Sequence, residues 1–253
     1  MANVQSLERA LRLLQTLSDY PDGMQITRLA EQAGLSKSTT HRLLATLLKM
    51  NYVVKDEESD KYKLGFQLIY LARNILSGMD VISVAKPYLQ RLSGDVNETV
   101  HLCMEDRHEV IYVDKIESTQ TIRMFSRIGS RAPMYCTGVG KVLLAGMKQD
   151  AYERAVSTFD FVAKTPRTIT SKEVLDAEIK LIQTQGFALD NIENEDGIRC
   201  IAAPIFDYQG KVIASFSIAG PSSRITIERV QDELVGKMKE TSASISRELG
   251  YQS

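Results

Sequence analysis

The stretch from Ile26 to Leu47, ITRLAEQAGLSKSTTHRLLATL, reads as two short helices and the turn between them. Ile26, Leu29, Ala30 and Ala33 fall on one helical face, and Gly34 stands where a helix closes on a left-handed residue. Ser36 supplies the hydroxyl that a helix start favours, and the helix it opens buries Leu43, Leu44, Leu47 and Leu48 in its later half. Its first turns carry Lys37, Ser38, Thr39, Thr40, His41 and Arg42 instead. A helix that is anchored at one end and polar and basic at the other suits the major groove of DNA.

Upstream, Val4, Leu7, Leu11 and Leu14 recur at helical spacing, with Leu17 continuing the stripe before the turn Pro21-Asp22-Gly23. Downstream, Tyr52-Val53-Val54 and Tyr62-Lys63-Leu64 alternate like short strands around the polar tip from Asp56 to Lys61, which predicts a hairpin wing. From Met24 to Lys55 the charged residues are Arg28, Lys37, Arg42, Lys49 and Lys55 against the single Glu31, whereas Asp56, Glu57, Glu58 and Asp60 crowd the tip. The candidate DNA contacts are therefore Arg28, Ser36, Lys37, Ser38, Thr39, Thr40 and Arg42. Hydroxyls and Lys37 fit phosphates, while Arg42, or Thr39 and Thr40 at base edges and thymine methyls, fit sequence reading; the sequence leaves open which does which. On an isolated helix Lys37 and Arg42 would only solvate a face, and it is the surrounding helix, turn, helix and hairpin that favour DNA.

A length of 253 residues with 43% apolar side chains suffices for two packed domains. The formal net charge of -1 and a pI near 6.3 exclude a protein that coats DNA through global basicity. No apolar run approaches a membrane span and the N-terminus is not signal-like, so a cytoplasmic protein is expected. Cys103, Cys136 and Cys200 are odd in number, far apart and free of any Cys-x-x-Cys pair, which predicts reduced, buried thiols in place of a disulfide framework or structural zinc.

Beyond the wing, Phe66, Leu68, Ile69, Leu71, Ala72, Ile75 and Leu76 predict a helix that ends near Ser77-Gly78, and a second helix starts after Asp80 and stops at Gly94. From Glu98 the texture becomes β-rich, with runs at 99–104, 110–115 and 122–125, then helices near 138–147, 150–158 and 172–185. Strand-like runs at 200–206 and 212–219 flank the turn Asp207-Tyr208-Gln209-Gly210, and a terminal helix carries Val230, Leu234, Met238, Ile245 and Leu249. The expected chain is α+β: a winged helix-turn-helix over residues 1–64, a helical linker over 65–78, and an effector-binding and oligomerisation domain over 79–253.

Thr137-Gly138-Val139-Gly140 opens a helix with small residues, where unpaired amides and the helix dipole favour an anion. Lys141 follows, and a lysine on a helix commonly extends to solvent. Read alone, this Gly-x-Gly is a weak signal, Asp190 is a solvated turn acid, and Cys200 is a core thiol. Two other chemistries compete. Cys136 with His101 or His108 could form an enzymatic site, although no local arrangement holds a base against the thiol. His101 and Cys103 alternate on one strand face and with Cys136 could hold a soft metal, although the spacing matches no standard motif.

The segment ITRLAEQAGLSKSTTHRLLATL, followed by YVV and KYKLG, resembles the DNA-binding domain of the IclR family of bacterial transcription regulators. GSRAPMYCTGVGKVLLA, GFALDNIENEDGIRCIAAPIFD and IASFSIAGPSSRIT resemble the effector-binding domain of the same family, in the same order, so the resemblance spans nearly the whole chain. It implies a GAF-like effector domain, double-stranded operator DNA and a small carboxylate as partners, dimers or tetramers, and neither cofactor nor catalytic residues. It also implies an effector site made of the amides matching Gly138 and Val139, the acid Asp190, Cys200, and hydroxyls at two positions matching Ser217 and Ala219. Alanine at 219 departs from that pattern and removes one donor. Arg123 and Arg127 join as further candidates, since a guanidinium can grip a carboxylate with two parallel hydrogen bonds. The run IRMFSRIGSRAPMYCTGVGKVLLA resembles the branch that regulates 2-keto-3-deoxygluconate and pectin-sugar catabolism, which implies a sugar-derived keto acid. A repressor released by its metabolite is the resulting expectation, with an activator of the same type, or a metal- or thiol-responsive regulator, as alternatives.

Overall fold

A computed structural model of the chain describes residues 4–71, 80–121 and 126–252. The chain divides into two compact units, Met1–Met79 and Asp80–Ser253.

In the first unit, α1 (Gln5–Ser18) precedes β1 (Met24–Gln25), α2 (Ile26–Gln32), α3 (Lys37–Lys49), β2 (Val53–Lys55) and β3 (Lys61–Leu64). The three strands form an antiparallel sheet in the order β1-β3-β2, with Met24 opposite Tyr62 and Val53 opposite Leu64. The two-residue β1 is too short to leave an alternating pattern in the sequence, yet it ties the start of the helix-turn-helix to the wing. Leu13, Leu17, Leu29, Ala33, Leu44, Leu47, Val53 and Tyr62 make the core, each fully buried leucine contributing about 1.5–3 kcal/mol of hydrophobic stabilisation. The apolar stripe of α1 divides: Leu13 and Leu17 face the core, while Val4, Leu7 and Leu11 remain exposed.

Gly34 terminates α2 at φ +65, with the amide of Leu35 donating to the Ala30 carbonyl and that of Gly34 to Glu31, so the orphan carbonyls of the helix end are met by the turn itself. Ser36 then caps α3, its hydroxyl accepting from the Thr39 amide at 3.3 Å. A helical turn follows the wing at 67–71; the rest of the expected linker, 72–78, lies outside the described residues.

The second unit begins with α4 (Val81–Val96), capped by the Asp80 side chain. This helix runs past Gly94 and closes on Asn97 at φ +49, so the expected stop at the glycine is corrected: asparagine also tolerates the left-handed region, and Gly94 stays within the helix. Next come β4 (Thr99–Asp106), β5 (Glu109–Ile116), β6 (Arg131–Pro133), α5 (Gly138–Ala145), α6 (Gln149–Val156), α7 (Lys172–Gln185), β7 (Ala188–Asn191), β8 (Ile198–Phe206) and β9 (Val212–Pro221). The chain ends through a short helical turn, α8 (Ile227–Arg229), a π-helical turn at Val230–Leu234, and α9 (Val235–Glu248). The six strands form one antiparallel sheet in the order β6-β5-β4-β9-β8-β7.

Period-two alternation gives the sheet two faces. Val100, Leu102, Ile201, Phe216 and Ile218 point to one and are fully buried, on the side where α4 and α9 pack. Cys103, Ala188 and Ala202 point to the other, where they meet Val139, Val142 and Leu143 of α5 and, beyond it, Leu175 and Ile179 of α7. Small alanines on β7 and β8 let α5 lie close: a Cβ added at Gly138 would come within 3.3 Å of the Ala202 methyl. Among the described residues no helix is long and apolar enough to cross a membrane.

Candidate DNA and effector sites

On α3, Lys37, Ser38, His41 and Arg42 are exposed; Ser38 and Arg42 lie on the face away from Leu44 and Leu47, while Lys37 and His41 sit in its first turns beside the wing. Thr40 does not belong with them. It is fully buried, on the same face as Leu44 and Leu47, and its hydroxyl donates to the Ser36 carbonyl at 3.1 Å, so its expected role at base edges is corrected to a core contact. The Ser36 and Thr39 hydroxyls hydrogen-bond each other at 2.9 Å in the cap, which commits them to shaping the helix start. Arg28 is exposed on α2, its guanidinium 5.3 Å above the Tyr20 ring. His41 was absent from the candidate contacts, though its spacing of three from Ser38 placed it on the same stripe.

The face of the large sheet under α5 carries the second site. Asp190 on β7 pairs with Cys200 on β8, Cys200 with Ala219 on β9, and Ala219 with Thr99 on β4; one step along, Ala202, Ser217 and His101 form the parallel row. The register thus brings residues far apart in sequence onto one patch. A cavity of about 240 Å³ opens above it, and Thr137, Gly138, Val139, Asp190, Cys200, Ser217 and Ala219 all line it. Thr137 caps α5, accepting from the Gly140 amide at 3.2 Å while donating to the Pro133 carbonyl at 2.7 Å. The Gly138 and Val139 amides have no hydrogen-bond partner among the described residues, so two open donors stand at the positive end of α5 on residues that line the cavity.

The same cavity takes in His101, Tyr112, Ser126, Ser130, Arg131, Lys164 and Asn194, none of which the sequence placed in an effector site. His101 Nε2 lies 2.6 Å from the Ser126 hydroxyl, and its ring meets Tyr112 edge-on with centroids 5.1 Å apart. Arg131 is spent on Asp106 and Glu109, whereas Lys164 makes no ion pair among the described residues. Arg127 is exposed and lies outside the lining, in the turn between the described part of this loop and β6, so its expected place in the pocket is corrected. Arg123 lies outside the described residues.

Burial sets the charge states. It pushes the Asp190 carboxyl up to about 7, with nearby Glu193 raising it further, against hydrogen bonds from the Glu193 and Asn194 amides (2.7 and 3.4 Å to Oδ1) and the charge of Lys141. Asp190 is therefore a buried strand acid poised near neutrality and not the solvated turn acid its sequence surroundings suggested. Burial, with the Lys115 charge, pushes the His101 imidazole down to about 3, leaving a neutral ring. It raises the Cys200 thiol well above its usual range and Cys136 to about 12, so both stay protonated. Cys136 meets Asn194 Oδ1 at 3.8 Å and no histidine, and among the described residues no three His, Cys, Asp or Glu side chains converge as a metal site requires.

Lys141 is the largest departure from expectation. Its side chain is fully buried, with Nζ at 2.7 and 2.8 Å from the two carboxylate oxygens of Glu193, 3.1 Å from Glu178 and 2.7 Å from the Leu189 carbonyl. It points away from the cavity and staples α5 to α7, β7 and the turn after β7. Thr165 and Thr168 complete the turn, both hydroxyls reaching the Glu193 carbonyl. Small or apolar residues at helical spacing from Lys141, Gly138 before it and Leu144 and Ala145 after it, were the available signal of burial.

Comparison with known proteins accords with this geometry. Residues 6–57 match the IclR helix-turn-helix domain, and residues 73–247 match the domain described as bacterial transcriptional regulator IclR C-terminal. The regulator KdgR of Escherichia coli is 38% identical, with 98% of this chain aligned to 94% of the relative, and XynR of the same organism is 34% identical over 99% of both. The crystal structure of the repressor BlcR of Agobacterium tumefaciens superposes with a TM-score of 0.78 at 27% identity over 99% of each chain. The C-terminal domain of E. coli KdgR covers 68% of this chain and all of its own, at 39% identity and a TM-score of 0.62. A winged helix-turn-helix joined to a six-stranded sheet with a walled cavity, matched along nearly its whole length by these regulators, makes this chain a member of the IclR family of bacterial transcriptional regulators.

Proposed function

We propose that this regulator is a cytoplasmic repressor of a sugar-acid catabolic operon and leaves its operator when a small keto acid occupies the cavity of the second unit. The observation that carries the reading is that Gly138 and Val139, whose amides have no partner among the described residues, line one cavity with Asp190, Cys200 and Ser217. A carboxylate at the helix start is stabilised by the amides and the dipole, and the strand row supplies hydrogen bonds to a keto or hydroxyl group. Ala219 leaves one side of the row apolar. Relatives named as repressors, IclR of E. coli at 33% identity and the acetate operon repressor of Salmonella typhimurium at 33%, support the sign of regulation. The likeness to KdgR supports a 2-keto-3-deoxygluconate-like effector.

Residues 1–64 serve as the DNA-binding domain, 65–78 as linker and 79–253 as effector and oligomerisation domain. Arg28, Lys37, Ser38 and Arg42 contact DNA, with Ser36 and Thr39 holding the helix start in shape. A homodimer, or a tetramer built from dimers, places two α3 helices in successive major grooves of a two-fold operator. The exposed stripe Val4, Leu7 and Leu11 on α1 supports such pairing, because an apolar helix face is costly to leave in water. Effector binding weakens DNA binding only by its differential affinity for the two arrangements.

The test is fluorescence anisotropy on the DNA upstream of its own gene, titrated with 2-keto-3-deoxygluconate, pyruvate and glyoxylate at fixed salt. Release by one keto acid, abolished by Asp190→Ala, is expected. Specific binding indifferent to all three removes the effector class, and absence of specific binding removes the operator reading.

A further inference from the structure

The wing of this protein carries its acids where DNA-contacting wings need cations, and the structure shows how the segment is wired. Asp56 is committed to the tip, its Oδ1 accepting from the Ser59 amide at 2.8 Å and the Ser59 hydroxyl at 2.7 Å. Glu57 and Glu58 are exposed at the apex, where they repel a phosphate chain. At the base of the wing, facing α3, lies a groove of about 560 Å³ lined by Thr27, Lys37, Ser38, His41, Lys55 and Asp60, among others. Lys37 enters from the first turn of α3 and makes no ion pair among the described residues. Lys55 enters from β2, its Nζ held 2.6 Å from Asp60 Oδ1 and 5.9 Å from the centre of the Tyr62 ring. Asp60 sits at φ +57, a left-handed position at the end of the tip that turns its carboxylate back toward Lys55.

Two ammonium groups from different elements and the hydroxyls of Thr27 and Ser38 on one groove beside the recognition helix fit a singly charged phosphodiester. We propose that this groove seats one DNA backbone phosphate between Lys37 and Lys55, and that Asp60 restrains the contact by competing with the phosphate for Lys55. The inference rests on the DNA-binding reading above. It makes the base of the wing the touching part, with the acidic apex held off the duplex. Since a phosphate is the same in every sequence, the contact and its restraint act on all DNA alike.

The experiment uses the full-length protein, a labelled random-sequence duplex and a duplex of its own upstream region, with anisotropy read across a potassium chloride series. Lys37→Gln and Lys55→Gln each lower affinity for both duplexes by a similar factor, and each reduces the slope of log affinity against log salt by about one per bound subunit. Asp60→Asn raises affinity several-fold on both, and loses that gain in the Lys55→Gln background. Lys49→Gln, at the far end of α3, serves as the control for charge alone and leaves the slope unchanged. An unchanged slope in Lys55→Gln overturns the phosphate seat, and an Asp60→Asn gain that survives in the Lys55→Gln background overturns the competition. Wild-type protein that binds neither duplex instead fails the DNA reading itself, and far-ultraviolet circular dichroism of each variant separates either result from unfolding.

Discussion

Replacing Lys141 by methionine removes a charge while keeping the length of the side chain, and the structure fixes what is left behind. Four hydrogen-bond contacts donated by Nζ disappear: two to Glu193, one to Glu178 and one to the Leu189 carbonyl. Glu193 is then a buried carboxylate without its cation, and breaking a buried pair from one side costs about 3–5 kcal/mol. For a unit of this size that lowers the melting temperature by roughly 10 °C. The penalty depends on pH with a definite sign. Burial already raises the Glu193 carboxyl and Lys141 lowers it, so its loss raises it further. A raised acid favours the folded state when protonated, and that advantage is lost as pH rises; the variant is therefore most damaged at pH 8 and recovers toward pH 5. Urea unfolding followed by circular dichroism at both pH values measures this. The double replacement Lys141→Met with Glu193→Gln removes both charges and should recover much of the loss and most of the pH dependence. A loss below about 1 kcal/mol at pH 8, or one that does not change with pH, refutes the assignment of Lys141 as a buried staple.

Gly140→Ala puts a methyl 2.4 Å from Met134 Cα and 2.5 Å from its carbonyl oxygen, both backbone; a destabilisation of about 1–3 kcal/mol or more is expected, and an unchanged thermal midpoint contradicts the packing. Asp190→Asn keeps an oxygen for the Glu193 and Asn194 amides but cannot ionise. Wild-type stability from this site is complete below about pH 4 and falls as pH rises toward 7, so the variant is more stable than wild type by about 1–4 kcal/mol at pH 8 and no better at pH 4. Denaturant midpoints that show it weaker at pH 8 refute the raised carboxyl. Arg42→Ala should weaken the upstream duplex by about 1–3 kcal/mol and the random duplex less; equal losses in anisotropy move Arg42 from base reading to phosphate contact.

The helix-turn-helix was legible because each of its elements is decided locally: Leu29 and Ala33 at helical spacing, Gly34 in a left-handed turn, Ser36 at a cap. Thr40 was misplaced because a threonine looks polar in sequence, while on α3 its spacing of four and seven from Leu44 and Leu47 puts it in the core and its hydroxyl turns to the helix backbone. The cavity was legible only through the helix start at Thr137 and the family resemblance. Asp190, Cys200 and Ser217 share a patch because of strand register, which pairs β7 with β8 and β8 with β9, and register between distant segments leaves no local signal. The four-residue β7 itself went unread, and with it the reason why Asp190 is buried. Lys141 was misread for a related cause, since its partners Glu178 and Glu193 arrive from 37 and 52 residues away.

The placement of Lys141 bears on how the cavity can discriminate. A buried ammonium inside the pocket would hold any carboxylate by charge, with little regard for the rest of the molecule. Here that cation is satisfied behind the wall, where it fixes the turn whose amides grip Asp190. The buried groups left to face a ligand are neutral or near their midpoint: two backbone amides, an imidazole held neutral, protonated thiol and hydroxyl, and the Asp190 carboxyl, while Glu195 adds an exposed acid at the rim. Lys164 lies exposed on the lining, where solvent screens its attraction. Selectivity must then come from hydrogen-bond geometry, because each of these groups gains only when matched and loses when desolvated without a partner. A pocket built this way separates small molecules by the position of their hydrogen-bonding groups more than by their charge.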